Sequence, residues 1–181
     1  MPVVIGGKPE SSFADPIGLL GDCHRRIERF LAVLVEVSAQ AKGGPLVAGQ
    51  RASFETALRY FREAAPKHTA DEEESLFPRL RSLDSPEVRA VLAKVDALEE
   101  QHACAGQAHT EVDRLGRAWL DAGSLPPADA ARLADLLAEL ADLYRGHILV
   151  EDRELFPVAA AALDKADRDA IGGEMAKRRG L

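Results

Sequence analysis

The chain has 181 residues, of which 46% are hydrophobic and only 5% aromatic, a composition typical of helical proteins rather than β-sandwiches or barrels. Its formal net charge of −7 argues against nucleic acid as the main partner. The two cysteines, Cys23 and Cys104, form no disulfide framework in a chain this long, so we expect a reducing compartment. No apolar run reaches the roughly 18 residues of a membrane span, and residues 1–7 lack the basic segment of a secretory signal. We therefore expect a cytoplasmic protein with no membrane partner.

Proline, glycine and capping signals divide the chain into helices. The first 14 residues form a loose lead-in, and Asp15 with Pro16 marks a helix start, so we assign the domain to residues 15–181. Pro66 lies inside the second helix, where its missing backbone donor predicts a kink. No stretch alternates at the period of a strand, so we predict an all-α fold, an antiparallel up-down four-helix bundle with a short C-terminal helix. The predicted helices cover residues 16–42, 48–80, 85–122, 128–163 and 164–177.

Two stretches of the sequence repeat each other as His-x3-Glu-x3-Leu-Phe-Pro. The first begins at His68 and includes Glu72, and the second begins at His147 and includes Glu151. Residues four apart lie above one another on the same face of a helix, so each copy presents an imidazole and a carboxylate to one point. Packing does not explain these residues, because a buried histidine and a buried glutamate are costly unless something binds them. The repeat therefore predicts two halves of a metal site.

Each of the other two long helices carries a histidine in its body. These are His24 in the first helix and His102 in the third. Neutral nitrogen and charged oxygen ligands without a thiolate suit iron or manganese, and zinc by affinity. Six such groups exceed the needs of one tetrahedral zinc and suit two six-coordinate ions bridged by the glutamates. The predicted ligands are His24, His68, Glu72, His102, His147 and Glu151.

These residues resemble the hemerythrin-like, or HHE cation-binding, domain family over nearly the whole chain. The resemblance implies a four-helix bundle that holds two iron ions with an oxo or hydroxo bridge, with the six residues above as their ligands. The oxygen-carrying hemerythrins of invertebrates have a further histidine four residues after the one on the third helix, where this chain has Gly106. The resemblance therefore implies an open position at one iron, which favours a reactive or sensing centre over simple oxygen carriage.

Several neighbouring residues compete with the six predicted ligands. The carriers place the last carboxylate five residues after its histidine, which corresponds to Asp152. Because residues five apart diverge by about 140° around a regular helix, against about 40° for four apart, we favour Glu151 over Asp152 and Glu72 over Glu73. The remaining candidates are interpreted as packing, surface or outer residues, with Cys23 and Cys104 both expected to be buried. They are His109, Glu28, Glu99, Tyr144, Phe61, Phe77 and Trp119.

The predicted function is that of a non-haem di-iron protein that binds dioxygen or a related small oxidant such as peroxide or nitric oxide. It would act in oxygen or redox sensing or in peroxide handling, and a protein redox partner is a candidate. Whether it turns over as an oxidoreductase is left open, as is substitution of iron by manganese or zinc. The alternatives are an iron-dependent interaction module, an iron-storage module, and a structural bundle whose histidines are accidental.

Overall fold

The computed structural model describes residues 11–181, so most of the predicted lead-in lies outside the described residues. Every regular element in this part of the chain is helical, which confirms the predicted all-α class. None of the described helices is both long and apolar enough to cross a lipid bilayer. The elements are α1 Pro16–Ala41, α2 Ala48–Glu63, α3 Ala65–Asp71, π1 Glu72–Leu76, α4 Phe77–Arg81, α5 Pro86–Ala122, α6 Pro127–Val150, π2 Glu151–Leu155, α7 Phe156–Ala162 and α8 Lys165–Arg178.

These elements form four rods joined by short connections. The first rod is α1, the second runs from α2 through π1 to α4, the third is α5, and the fourth runs from α6 through π2 to α7. Helix α1 packs on α2 and α6, and α5 packs on the same two helices, so each rod has two neighbours. This closed arrangement of consecutive rods is the antiparallel four-helix bundle that the sequence predicts. Helix α8 packs outside it, against α1, α3 and π1.

Local chemistry fixes where the rods begin and end. Asp15 caps α1 by accepting from Gly18 N at 3.1 Å, and Ser85 caps α5 by accepting from Val88 N at 3.1 Å. Both satisfy backbone donors that a helix start leaves without partners. The ends of α1 and α5 use left-handed residues, Lys42 at φ 47° and Gly123 at φ 77°.

Two rods are interrupted where the sequence has proline. The predicted kink at Pro66 is confirmed, because the second rod breaks at Ala64 between α2 and α3. Further along, each Leu-Phe-Pro sequence follows a π-helical turn, and Pro78 and Pro157 are the second residues of the α-segments after these turns. Proline has no backbone N–H to donate, and it stands where the helical hydrogen-bond pattern already changes from π to α. The helix predicted over residues 128–163 is a continuous helical rod from Pro127 to Ala162, and the π turn inside it was not predicted.

Two apolar cores fill the bundle, one towards each end. One core contains Leu34, Phe54, Trp119 and Leu137, and the other contains Leu20, Leu76, Phe77, Ile171 and Met175 among its buried residues. Trp119 is buried and donates its indole N–H to Gly44 O at 2.9 Å, which confirms it as a packing residue. Along the rods, the polar residues that the sequence singles out fall between these two cores.

Candidate metal centre

The bundle brings all six predicted ligands together in its interior. Their side chains expose at most 7% of their surface, and those of both glutamates expose none. They form two groups, in each of which four potential ligand atoms lie within 4.8 Å of one another. One group consists of His24, His68, Glu72 and Glu151, and the other of Glu72, His102, His147 and Glu151.

The two glutamates belong to both groups. Glu72 Oε1 lies 3.5 Å from His68 Nε2 and 3.8 Å from His24 Nε2, whereas Glu72 Oε2 lies 3.4 Å from His102 Nε2. Glu151 Oε2 lies 3.1 Å from the Nε2 atoms of both His24 and His147. Each carboxylate therefore faces histidines from both groups, which is the arrangement that a bridging carboxylate requires.

A π-helical turn begins at each glutamate. The backbone N–H of Phe77 donates to Glu72 O, and that of Phe156 donates to Glu151 O, both across five residues rather than four. Each glutamate still stands one ordinary helical turn after its histidine. The two halves of the sequence repeat thus share one backbone conformation, and the proline at the end of each half marks where the π turn returns to an α-helix.

The acid that follows each glutamate contacts a histidine of another rod. Asp152 Oδ1 accepts from His24 Nδ1 at 2.7 Å, and Glu73 Oε1 lies 2.9 Å from His102 Nδ1. Asp152 and Glu73, the alternatives to Glu151 and Glu72 in the sequence, thus each contact the Nδ1 atom of a histidine ring, which faces away from the centre. Carboxylates commonly bind metal-ligating histidines in this way. The signal of Asp152 and Glu73 in the sequence was the second acid in both copies of the repeat. Gln101, whose Oε1 lies 2.8 Å from His147 Nδ1, was missed because no pattern singles it out.

These outer hydrogen bonds leave ring lone pairs aimed at the centre. A carboxylate or amide oxygen only accepts, so Nδ1 of His24, His102 and His147 carries the proton and Nε2 of a neutral ring is left bare. The bare Nε2 atoms of His102 and His147 then face each other at 3.0 Å. His24 Nε2 and the four carboxylate oxygens of Glu72 and Glu151 are buried without a hydrogen-bond partner. Buried acceptors this close repel one another unless cations lie between them, so the donor set fits bound metal.

The electrostatics of the buried groups point the same way. Burial and the charge of Glu151 raise the pKa of Glu72 well above its ordinary value. Burial and the proximity of His24 keep the pKa of His68 well below 6.5, so His68 is neutral and able to ligate at neutral pH.

Apolar and aromatic groups close the site. Phe156 stacks on the His24 ring with centroids 5.1 Å apart, and His68 meets the same ring edge-on at 4.9 Å. An inner cavity of about 10 Å³ lies among the histidines and Tyr144. That space is close to the minimum for one water-sized molecule, so small ligands suit the centre itself.

The remaining candidates lie outside both groups. His109 Nε2 pairs with Tyr144 Oη at 3.0 Å, and its ring stacks on Phe61. Glu28 is exposed and pairs with Arg25, and Glu99 pairs with Arg81. Cys23 is buried as expected, but Cys104 is exposed, so that prediction was wrong. Cys104 follows His102 by two residues, so it lies about 160° around α5 from the inward-facing His102 and on the solvent side of the helix.

Comparison with known proteins agrees with this geometry. A protein of Haemophilus influenzae described as uncharacterized is 30% identical over 92 residues, and the chain spans about half (51%) of that relative's length. The family model of the hemerythrin HHE cation-binding domain matches residues 15–159. Because this match covers most of the chain and includes both buried His/Glu groups, the protein belongs to the hemerythrin HHE cation-binding domain family.

Proposed function

We propose that the protein binds two iron ions in the bundle and uses them to bind dioxygen or a related small oxidant such as peroxide or nitric oxide. The proposed ligands are His24 and His68 for one ion, His102 and His147 for the other, with Glu72 and Glu151 shared between them. The biological role that fits this centre is oxygen or redox sensing, or peroxide handling.

One observation carries the proposal, namely that two buried carboxylates belong to two separate four-residue groups. A single ion in one group would leave the two histidines of the other group without a bound cation, and buried polar groups without partners are costly. Two histidines and two shared carboxylates per ion are nitrogen and oxygen donors of the kind that iron accepts.

Iron in this site would supply two accessible oxidation states and coordination positions that exchange with small ligands. The chain's own residues supply the surroundings. Asp152, Glu73 and Gln101 fix the ring orientations through Nδ1, so that three rings present Nε2 inward. Phe156 stacks on the His24 ring, and the two apolar cores flank the centre along the bundle. Gly106 leaves the third helix without a second ligand at that position, and a Cβ there would meet nothing within 4 Å.

Metal analysis of matched histidine variants tests the ligand set. The protein is loaded with Fe²⁺ without oxygen, desalted, and its iron content per chain is measured by mass spectrometry. We expect about two irons in the wild type and in His109→Gln, whose histidine lies outside both groups, and fewer in His68→Ala and His147→Ala. Unchanged iron content in both of the latter variants would refute the proposed ligands.

Rapid mixing of the Fe²⁺ protein with dioxygen, peroxide or nitric oxide tests the oxidant role. We expect a new near-ultraviolet or visible absorption band to appear after mixing with at least one of the three ligands. An iron-loaded protein whose spectrum is unaffected by all of them would instead be an iron-storage or iron-dependent interaction module.

A further inference from the structure

A second, much larger cavity opens beside the metal centre. It has a volume of about 640 Å³ and lies between α2, α3 and α5, with Tyr144 of α6 among its lining residues. A water molecule in the liquid occupies about 30 Å³, so a diatomic or peroxide ligand needs only a small part of this space. The volume falls in the range of pockets that hold small organic molecules, about 300–1,000 Å³.

The inner end of this cleft reaches the proposed metal ligands. The cleft and the inner cavity share four lining residues, Ala65, Thr69, His102 and Tyr144. His102 is one of the six residues that form the two buried groups. One end of a molecule that fills the cleft would therefore lie next to the metal centre.

The walls of the cleft are mostly apolar and carry one buried polar pair. Leu58, Phe61 and Val112 belong to the apolar core and line the cleft with buried side chains. His109 and Tyr144 contribute the polar pair, and His109 Nδ1 is buried without a hydrogen-bond partner. Such a surface favours a molecule with an apolar body.

The mouth of the cleft is rich in arginine. Arg62 and Arg117 share one carboxylate, that of Asp113, at 3.1 and 2.9 Å, and Arg114 pairs with Glu111 at 2.7 Å. Three guanidinium groups thus line the cleft against two carboxylates, although Arg62 also contacts Glu63 outside it. This contrasts with the net charge of −7 of the whole chain, so the mouth favours an anionic group.

We propose that the cleft binds an organic monoanion with an apolar body, such as a medium-chain carboxylate. Its anionic group would contact Arg62, Arg114 or Arg117, and its apolar end would lie against Phe61 and Val112 and point towards His102. The binding itself needs no metal, but the role of such a molecule as a substrate or effector of the centre rests on the proposed function.

Fluorescence titration with anilinonaphthalene sulfonate, an apolar monoanion, tests binding to the folded full-length protein, and decanoate serves as its competitor. Gly106 lines the cleft, and a side chain placed there would project into open space. We expect Gly106→Leu to weaken probe and decanoate binding by at least about tenfold through steric exclusion. Gly173→Leu is the matched control, since Gly173 also lies in a helix with open space around it and outside the cleft. Equal binding by wild type and Gly106→Leu overturns the proposal.

A charge variant tests the arginine mouth. We expect Arg117→Gln to weaken binding of the sulfonate by roughly three- to tenfold while leaving the neutral analogue phenylnaphthylamine nearly unaffected. Arg145→Gln is the control, because Arg145 is an exposed, ion-paired arginine outside the cleft. An equal loss for the charged and the neutral probe would refute the anionic orientation.

Nuclear magnetic resonance of bound decanoate tests whether the cleft leads to the metal. Protein whose Mn²⁺ content has been measured should broaden the terminal methyl signal of decanoate more than the signal next to the carboxylate, and Zn²⁺ protein should broaden neither. Lack of selective broadening with Mn²⁺ bound overturns the link to the centre. If the protein takes up neither metal, the proposed function fails, while the fluorescence results still decide whether the cleft binds the anion.

Discussion

The most informative residues outside the proposed ligand set are the acids that follow the two glutamates. Asp152 and Glu73 each hold a histidine of another rod through Nδ1. Asp152 also pairs with the exposed Arg25. Sequence spacing identified the inner carboxylates, because a difference of one residue changes the direction of a helical side chain by about 100°. It could not show that the rejected neighbours contact histidines 128 and 29 residues away.

Loss of one outer carboxylate should weaken metal binding without unfolding the bundle. We expect Asp152→Asn to lower the affinity for Zn²⁺ by about 10- to 100-fold, since outer hydrogen bonds of this kind fix the ring and its tautomer. Competition against a chromophoric chelator measures the affinity. Glu154→Gln, which removes an exposed acid of the same π turn, should bind as the wild type does. Equal affinity in Asp152→Asn and the control would mean that this hydrogen bond does not orient a ligand.

His109 makes stability depend on pH, because burial lowers its pKa to about 4 from the ordinary 6.5. Between these values the unfolded chain binds a proton that the folded chain does not, so stability is lost as the pH falls from 6.5 towards 4. At about 1.4 kcal/mol per pH unit the loss approaches about 3 kcal/mol. The free energy of unfolding of the metal-free protein, measured with urea at pH 7 and 4.5, should therefore fall less for His109→Gln than for the wild type. Identical losses in the two proteins would contradict this assignment.

Helix α8 forms ion pairs with α3 and π1, which carry the first half of the repeat. Asp71 is fully buried immediately before π1, and Arg178 and Arg179 donate to its carboxylate at 3.0 and 2.6 Å. Arg178 also reaches Glu74 within the π turn. The sequence predicted a last helix over residues 164–177, whereas the partner of the arginines at its end could be known only once α8 was placed against α3 and π1.

Removal of both arginines should destabilise the protein strongly. We expect Arg178→Gln with Arg179→Gln to cost about 3 kcal/mol in the free energy of unfolding, since it leaves a buried carboxylate without its cations. Addition of Asp71→Asn should recover part of the loss by removing that charge. Urea unfolding measures the free energy of unfolding of the wild type, the double variant and the triple variant, with Lys177→Gln at an exposed position as control. A loss no larger than that of Lys177→Gln would show that the contact is unimportant.

The bundle as a whole was more predictable than its details. The helix bounds near residues 16, 41, 86 and 122 follow from capping residues, prolines and glycines whose effects are local. The six inward residues follow from helical spacing and from the repeat. The π turns were missed because their hydrogen bonds differ from those of an α-helix by one residue, although Pro78 and Pro157 marked their ends. Cys104 was misplaced because the apolar character of one residue does not fix which side of a long helix faces the core.

Bound metal should stabilise the entire fold, because the site joins all four rods. With zinc at a hundredfold excess over its dissociation constant, linkage gives about 2.7 kcal/mol, or roughly 5–10 °C in melting temperature for a chain of this size. The double variant Glu72→Gln with Glu151→Gln should lose this response. Its metal-free form should melt no lower than the wild type, since the variant removes two adjacent buried carboxylates. Scanning calorimetry with and without zinc compares the four samples, and an undiminished zinc response in the variant would contradict the shared role of the glutamates.

Two ions held by shared carboxylates would lie close together, and X-ray absorption at the iron edge measures that separation directly. For the iron-loaded wild type we predict nitrogen and oxygen neighbours and a second iron at about 3–4 Å, as in other two-metal sites. Glu72→Gln with Glu151→Gln should lose the iron–iron signal. A wild-type protein with one iron per chain and no iron scatterer in this range would contradict the account.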